Sequence, residues 1–122
     1  MNLTTKTLLS DVVYGTPSGN YDGSSLLFYS DPVIAADYYK GQGNIQTMRY
    51  QVTNFTGKIT LQATLHDNPD SLLWFDVETV NHVEDGPVTD FLITSVMGNF
   101  VWLRARVDLF ESGTINLVSA TY

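Results

Sequence analysis

Residues 99–108 read NFVWLRARVD, and this stretch decides the fold class. Its apolar residues recur at every second position, which predicts a β-strand with one face in a hydrophobic core. The inward set is Val101, Leu103, Ala105 and Val107, and the outward set is Phe100, Trp102, Arg104 and Arg106. The outward set holds a tryptophan and two of the chain's six basic residues. We therefore expect this face to contact something other than bulk water.

Similar segments follow one another along the rest of the chain, with no convincing amphipathic helix between them. They are residues 7–14, 26–29, 45–54, 58–65, 72–80, 88–96 and 114–122. Turn residues such as Thr56-Gly57 and Ser112-Gly113 separate them, and residues 33–40 are predicted to form one helical turn. About eight strands with a turn roughly every 8–12 residues predict an all-β fold. We expect a single antiparallel β-sandwich, Ig-like or jelly-roll-like.

The alternation also assigns a face to individual side chains. The predicted inward residues of three segments are Met48, Tyr50, Val52, Ile59, Leu61, Ala63, Leu65, Leu73, Phe75 and Val77. The predicted outward residues are Lys58, Thr60, Gln62, Thr64, Trp74, Asp76 and Glu78. Such alternation is typical of antiparallel sheets that bury one face.

The length of 122 residues predicts one domain, spanning residues 1–122. Residues 1–23 are expected to form either an N-terminal strand or an arm, followed by a mobile loop rich in Gly, Ser, Asn and Asp. A chain of this size buries roughly two-thirds of its unfolded surface, so it needs no cross-link to fold. It contains no cysteine, which excludes disulfides and cysteine-based zinc sites.

The net charge of −7 is concentrated in the middle of the chain. Residues 59–103 contain seven acids and no Lys or Arg, whereas the remainder has six acids and six bases. This sign opposes binding to nucleic acid and to an anionic membrane surface. There is no obvious signal peptide and no run of about 20 apolar residues, so we expect synthesis in a cytoplasm and no membrane association.

Residues that could support catalysis or bind a metal are few. The chain has no Gly-x-Ser-x-Gly elbow and no phosphate-binding glycine loop, and Asp76 with Asp90 is its only plausible carboxylate pair for hydrolysis. Two sets could be considered for metals: the loop acids for calcium and two histidines for a transition metal. They are Asp67, Asp70, Glu84, Asp85, His66 and His82. We expect these groups to be solvated, and predict no enzyme activity, no metal and no cofactor.

The candidate interface or ligand-binding residues are aromatic or basic. They are Trp102, Arg104, Arg106, Trp74, Tyr38 and Tyr39. The arginines could form cross-strand charge pairs with Asp76 or Glu78 inside one sheet. They could instead form a protein–protein interface, where aromatic residues and Arg are enriched. A third interpretation is that the rings stack on sugars.

Several stretches resemble the small β-sandwich structural proteins of tailed phages that infect marine cyanobacteria. These stretches are GKITLQATL at 57–65, WFDV at 74–77, GNFVWLRARV at 98–107 and SGTI at 112–115, with YDGSS at 21–25 and FYSDPV at 28–33. The resemblance implies a non-enzymatic virion component: a head decoration, a neck or tail protein, or a fibre-associated module. It implies binding to other virion proteins, a homo-oligomer with a trimer favoured, and localisation in the virion. The alternative is a carbohydrate-binding module that aids attachment to the host surface, with Trp102, Trp74 and loop Tyr residues as stacking platforms.

Overall fold

The computed structural model describes residues 5–35, 45–66, 68–69, 73–84, 87–98 and 100–122. These residues form seven strands and no helix. The strands are β1 (Thr5–Val13), β2 (Phe28–Tyr29), β3 (Val33–Ile34), β4 (Ile45–Thr64), β5 (Phe75–Asn81), β6 (Val88–Met97) and β7 (Trp102–Thr121). All of them pair antiparallel in one sheet, which confirms the predicted all-β antiparallel fold.

Two long strands, β4 and β7, form the centre of this sheet. They pair with each other from Thr47 opposite Thr121 to Thr64 opposite Trp102. The prediction of separate strands at 45–54 and 58–65, and at 99–108 and 114–122, is therefore wrong. Thr56 pairs with Ser112, so the expected turns lie inside the β4–β7 ladder. The ladder continues on both sides of these turn-forming residues. They therefore bend a paired strand and do not end it.

The bend occurs at the same level in both long strands. The β4–β7 register shifts between Thr53 and Lys58, and Asn54, Leu109 and Gly113 have positive φ angles of 50°, 52° and 88°. Bulges of this kind sharpen the local twist of a sheet. The sheet consequently folds into two parts: a first half-sheet of β1, β6 and the adjoining halves of β4 and β7, and a second half-sheet of β2, β3, β5 and the other halves.

The two half-sheets face each other across one hydrophobic core, as in a sandwich. The inward residues of both long strands are buried. They are Met48, Tyr50, Val52, Ile59, Leu61, Ala63, Leu103, Ala105, Val107, Ile115, Val118 and Ala120. At the bend, Phe55 and Phe110 are fully buried with ring centroids 5.7 Å apart. The Tyr122 hydroxyl closes the opposite end by donating a 2.5 Å hydrogen bond to the Ile34 carbonyl.

Several faces differ from the predicted ones. Leu65 is exposed because it lies beyond the last paired residue of β4, and Phe75 is exposed at the start of β5. Leu73 precedes β5 and is also exposed. Phe100 precedes β7 and is buried, with its ring 5.8 Å from that of Phe75. Three residues predicted to face solvent are buried: Thr60, Gln62 and Thr64. The Arg106 side chain reaches Thr60, and the Arg104 side chain reaches Gln62.

The short strands β2 and β3 extend the second half-sheet beyond β7. Phe28 pairs with Val107, and Val33 pairs with Leu103. The predicted helical turn at 33–40 thus begins as a strand, and residues 36–40 lie outside the described residues.

The loop between β1 and β2 is attached to the core through Tyr21. This side chain is only 1% exposed, its ring lies 5.1 Å from that of Phe110, and its hydroxyl accepts a 2.9 Å hydrogen bond from the Gly15 amide. Next to it, the Asp22 carboxylate accepts hydrogen bonds from the backbone amides and hydroxyls of Ser24 and Ser25, which lowers the pKa of Asp22 to about 2.

The bend provides the first testable prediction. A Cβ added at Gly113 would overlap the Asn54 carbonyl, whereas one added at Gly15, with nearly the same positive φ, would meet nothing within 4 Å. We expect Gly15→Ala to cost about 1 kcal/mol of unfolding free energy through backbone strain alone, and Gly113→Ala about 3 kcal/mol, because overpacking adds to that strain. Urea denaturation of both variants measures the difference. Equal destabilisation would contradict the close approach of β4 and β7 at the bend.

Candidate functional site

The outer face of the second half-sheet carries a stacked arginine. The Arg104 guanidinium lies 4.4 Å from the ring centroid of Tyr29 and 4.3 Å from that of Trp74, so it sits against both rings. Its Nε donates a 2.7 Å hydrogen bond to the Gln62 side chain. Partial burial lowers the pKa of Arg104. The Trp74 indole donates to the Pro69 carbonyl at 3.3 Å, which orients the ring.

Arg106, two residues further along β7, forms ion pairs. Its Nε lies 3.0 Å from Asp108, and its two terminal nitrogens lie 3.4 Å from the two carboxylate oxygens of Asp76. Partial burial opposes a higher pKa for Arg106, but the Asp108 and Asp76 carboxylates raise it. Gln62 donates to Asp76 at 2.9 Å and so connects the two arginines. Arg104, Arg106, Gln62, Trp74 and Tyr29 together cover the central strands. We call these five side chains the arginine network.

A register shift in β5 places Asp76 and Glu78 on opposite faces of the sheet. Asp76 pairs with Gln62, and Glu78 with Leu61, with the shift between these two positions of β4. The prediction that both acids face outward is therefore wrong for Glu78. A bulge inserts one extra residue and reverses the alternation beyond it. Of these two acids, only Asp76 forms the cross-strand charge pair. Its partner is Arg106 on β7, so the pair spans the intervening strand β4.

Glu78 points into the fold, where it connects the two half-sheets. One carboxylate oxygen accepts hydrogen bonds from the Tyr50 hydroxyl at 2.6 Å and from the Thr94 hydroxyl at 2.5 Å. Burial, and then the hydrogen bond and negative charge of Glu78, raise the pKa of Tyr50 far above its ordinary value. The contact joins β5 of the second half-sheet to β4 and β6 of the first.

The structure brings some of the candidate residues together and not others. Trp74 and Arg104 are in contact, and Arg106 belongs to the same network. Trp102 is half-buried at the end of β7, paired with Thr64 and Ile34. Tyr38 and Tyr39 lie outside the described residues.

Among the described residues, the groups considered for metals and catalysis do not converge. His66 follows the end of β4, whereas the His82 backbone pairs with Gly57 at the bend, so about 30 Å of strand separates them. Asp90 lies 3.2 Å from the His82 ring, and Asp76 is engaged by Arg106 in the other half-sheet. The described residues contain no cluster of three or more metal-binding side chains. Asp67, Asp70 and Asp85 lie outside them.

The outer face of the first half-sheet has a different chemistry. Three registered rows cross β1, β7, β4 and β6, and an additional pair lies at the outer end. The rows are Thr5–Thr121–Thr47–Ser95, Thr7–Ser119–Arg49–Ile93 and Ser10–Leu117–Gln51–Phe91, and the additional pair is Ile45–Met97. These fourteen residues include one charge, Arg49, and no carboxylate, in a chain with thirteen acids. We call this surface the uncharged face.

Large apolar side chains of the uncharged face are open to solvent. Ile45, Phe91, Ile93 and Met97 are 49%, 52%, 57% and 70% exposed. They adjoin a shallow depression of about 480 Å³ lined by Ile45, Thr47, Arg49, Ile93, Thr121 and Tyr122. Sequence analysis missed this surface because Val88, Leu92 and Val96 alternate with it, so both faces of β6 are partly apolar. The available signal was the absence of acids from the alternate positions of 45–51, 91–97 and 117–121.

The buried Tyr50 gives a pH-dependent prediction. Its phenol stays neutral in the folded chain but ionises near pH 10 in the unfolded chain, so its contribution to stability is complete below pH 10 and is lost as pH rises further. We expect Tyr50→Phe to make the alkaline decline in unfolding free energy shallower by up to about 1.4 kcal/mol per pH unit. Urea denaturation between pH 9 and 11 measures this slope. The exposed Tyr14→Phe serves as a control that should keep the wild-type slope. An unchanged slope in Tyr50→Phe would mean that Tyr50 ionises in the native state.

Two surfaces thus emerge from the geometry: the arginine network, whose two arginines contact other side chains of the same chain, and the uncharged face, which exposes apolar side chains. The described part of the chain has no helix of the length and hydropathy needed to cross a membrane. Comparisons with protein family models, with curated proteins and with solved structures give no match for the chain.

Proposed function

We propose that the protein is a non-enzymatic structural component of a phage virion that acts by protein–protein assembly through its uncharged face. The resemblance of residues 57–65, 74–77 and 98–107 to cyanophage structural proteins supports the virion setting. The uncharged face supports the assembly role, and it is the observation that carries the proposal.

The charge distribution is the first reason for assigning assembly to this face. Copies of a chain with net charge −7 repel one another, and so do two acidic proteins brought together. A contact is least costly where no carboxylate has to be desolvated beside another. The uncharged face meets this condition, whereas Asp76 and Asp108 border the arginine network.

The exposed apolar side chains are the second reason. Contiguous apolar surface on a folded chain marks interaction sites, and interface centres are depleted of charge while aromatic residues and Met are enriched. Phe91 and Met97 fit this composition, with Ile45 and Ile93 beside them. Around them lie Thr and Ser side chains, which tolerate a close approach of another surface.

The carbohydrate-binding alternative depends on open aromatic rings. A sugar stacks on the face of a ring, but the Arg104 guanidinium already lies over one face of Trp74 and one face of Tyr29. This contact favours assembly over sugar recognition at the arginine network.

Fluorescence distinguishes these two functions. We expect titration with polysaccharide extracted from the host cell surface to leave the tryptophan emission unchanged, because Arg104 and the Pro69 carbonyl already engage Trp74. Lysozyme titrated with chitin oligosaccharide serves as the positive control. A saturable change in emission, lost in Trp74→Ala, would support the carbohydrate-binding function instead.

Particle composition tests the virion assignment itself. We expect the protein to co-sediment with density-gradient-purified particles of the phage that encodes it, and antibodies against it to label intact particles in electron micrographs. An abundant non-structural protein of the same phage, detected in the lysate only, controls for contamination. Presence in infected cells with absence from purified particles would overturn the proposal. Copies per particle, from quantitative mass spectrometry, separate a decoration role from a neck or tail role.

A further inference from the structure

We propose that the uncharged face binds a second copy of this chain, face to face, about a two-fold axis that lies in the plane of contact and runs parallel to the strands. The inference rests on the proposed assembly function and names the partner of the same surface. It specifies a two-fold pair, in place of the trimer that the sequence resemblance implies.

The relief of the face is self-complementary. Its β6 side is raised by the large apolar side chains of Phe91, Ile93 and Met97 on β6, with Ile45 beside them at the start of β4. Its β1 side is lower over the first two rows, where Thr5, Thr7, Thr121 and Ser119 are small, and the depression of about 480 Å³ adjoins these rows. The proposed axis places β6 of one copy over β1 of the other. Each raised side then fills the low side opposite, as required of an isologous contact.

The single charge of the face also finds its complement in this arrangement. The Arg49 guanidinium lies 5.4 Å from the ring centroid of Phe91. Phe91 is the β6 residue of the third row, so the charge lies beside that end of the row. The β1 end of that row is Ser10, and the next residue, the exposed Asp11, is a carboxylate bordering the face. Rotation by 180° about this axis places the β6 end of a row in one copy over the β1 end of the same row in the other copy. It therefore places Arg49 of each copy near Asp11 of the other copy.

The size of the face suits a stable pair. Four strands at a spacing of about 4.8 Å, over residues 45–53 at about 3.4 Å each, cover a planar footprint of roughly 590 Å². The accessible surface over the side chains is larger than this footprint. The footprint is therefore of the same order as the roughly 800 Å² per partner of a standard interface.

The test measures solution mass over a range of concentrations by sedimentation equilibrium. We expect the wild-type chain to form a dimer of twice 13.6 kDa and Ile93→Glu to be a monomer, because the substitution buries a carboxylate in the raised side. Leu65→Glu replaces an equally exposed leucine outside the face and should remain dimeric. Circular dichroism and urea midpoints establish that both variants are folded.

A charge swap tests the geometry. We expect Arg49→Asp to weaken the dimer by about tenfold or more, since it replaces attraction by repulsion at two symmetric contacts, and Arg49→Asp with Asp11→Arg to restore it. The effect of the single variant should shrink at high salt. A double variant no tighter than Arg49→Asp alone would overturn the two-fold arrangement, and so would a wild-type trimer. A wild-type dimer unaffected by Ile93→Glu would place the contact on another surface.

Particle incorporation separates this inference from the proposed function. A monomeric wild-type chain that enters particles, and is excluded from them by Ile93→Glu but not by Leu65→Glu, would overturn self-association while supporting assembly with another virion protein. A dimer with the expected variants that is absent from purified particles would support the two-fold contact and overturn the virion assignment.

Discussion

The hydrogen-bonded ladder between β4 and β7 is the interaction on which the rest of the molecule depends. Every other described strand pairs with one of these two strands and not with a third, so β1, β2, β3, β5 and β6 have no sheet without them. The ladder joins distant parts of the chain, beginning with Thr47 opposite Thr121. Non-local pairing of this kind has a loop-closure cost that must be met before the contacts form, which favours slow folding.

The bend in that ladder also explains why one sheet has two outer surfaces with different chemistry. Residues on the same long strand belong to the uncharged face before the bend and to the arginine network after it, as Arg49 and Gln62 do on β4. In the second half-sheet, the arginines and Trp74 cover polar residues of β4, whose hydrogen bonds are made within the chain. In the first half-sheet, the apolar residues of β6 are accompanied mainly by Thr and Ser, with Arg49 as the one charged side chain of the face. A separation of charge within one small domain follows directly from this geometry.

The sequence predicts the fold class and most of the core, because the inward residues alternate over 48–52 and 59–63 of β4 and over 103–107 of β7. It does not predict that 45–54 and 58–65 are one strand, since local turn propensity at Thr56-Gly57 does not reveal that a partner strand bends with it. Nor does it predict the inward position of Glu78, because a bulge reverses the face assignment and leaves no mark in the alternation. The sequence suggests that Arg104 and Arg106 contact something other than bulk water, but their partners within the chain are visible only in the structure. The uncharged face is not predicted from the sequence, because apolar residues in a strand are assigned to the core.

The pairing of Thr5 with Thr121 has a mechanical consequence. Both ends of the described chain lie at the same end of an antiparallel ladder, with the Thr5 and Thr121 hydroxyls 3.0 Å apart. A pulling force applied to these two points would load the hydrogen bonds between β1 and β7 one at a time, as in a zipper, and not all together in shear. The domain would therefore resist tension between its ends poorly. It would bear load well only when the force enters through the broad faces of the sheet.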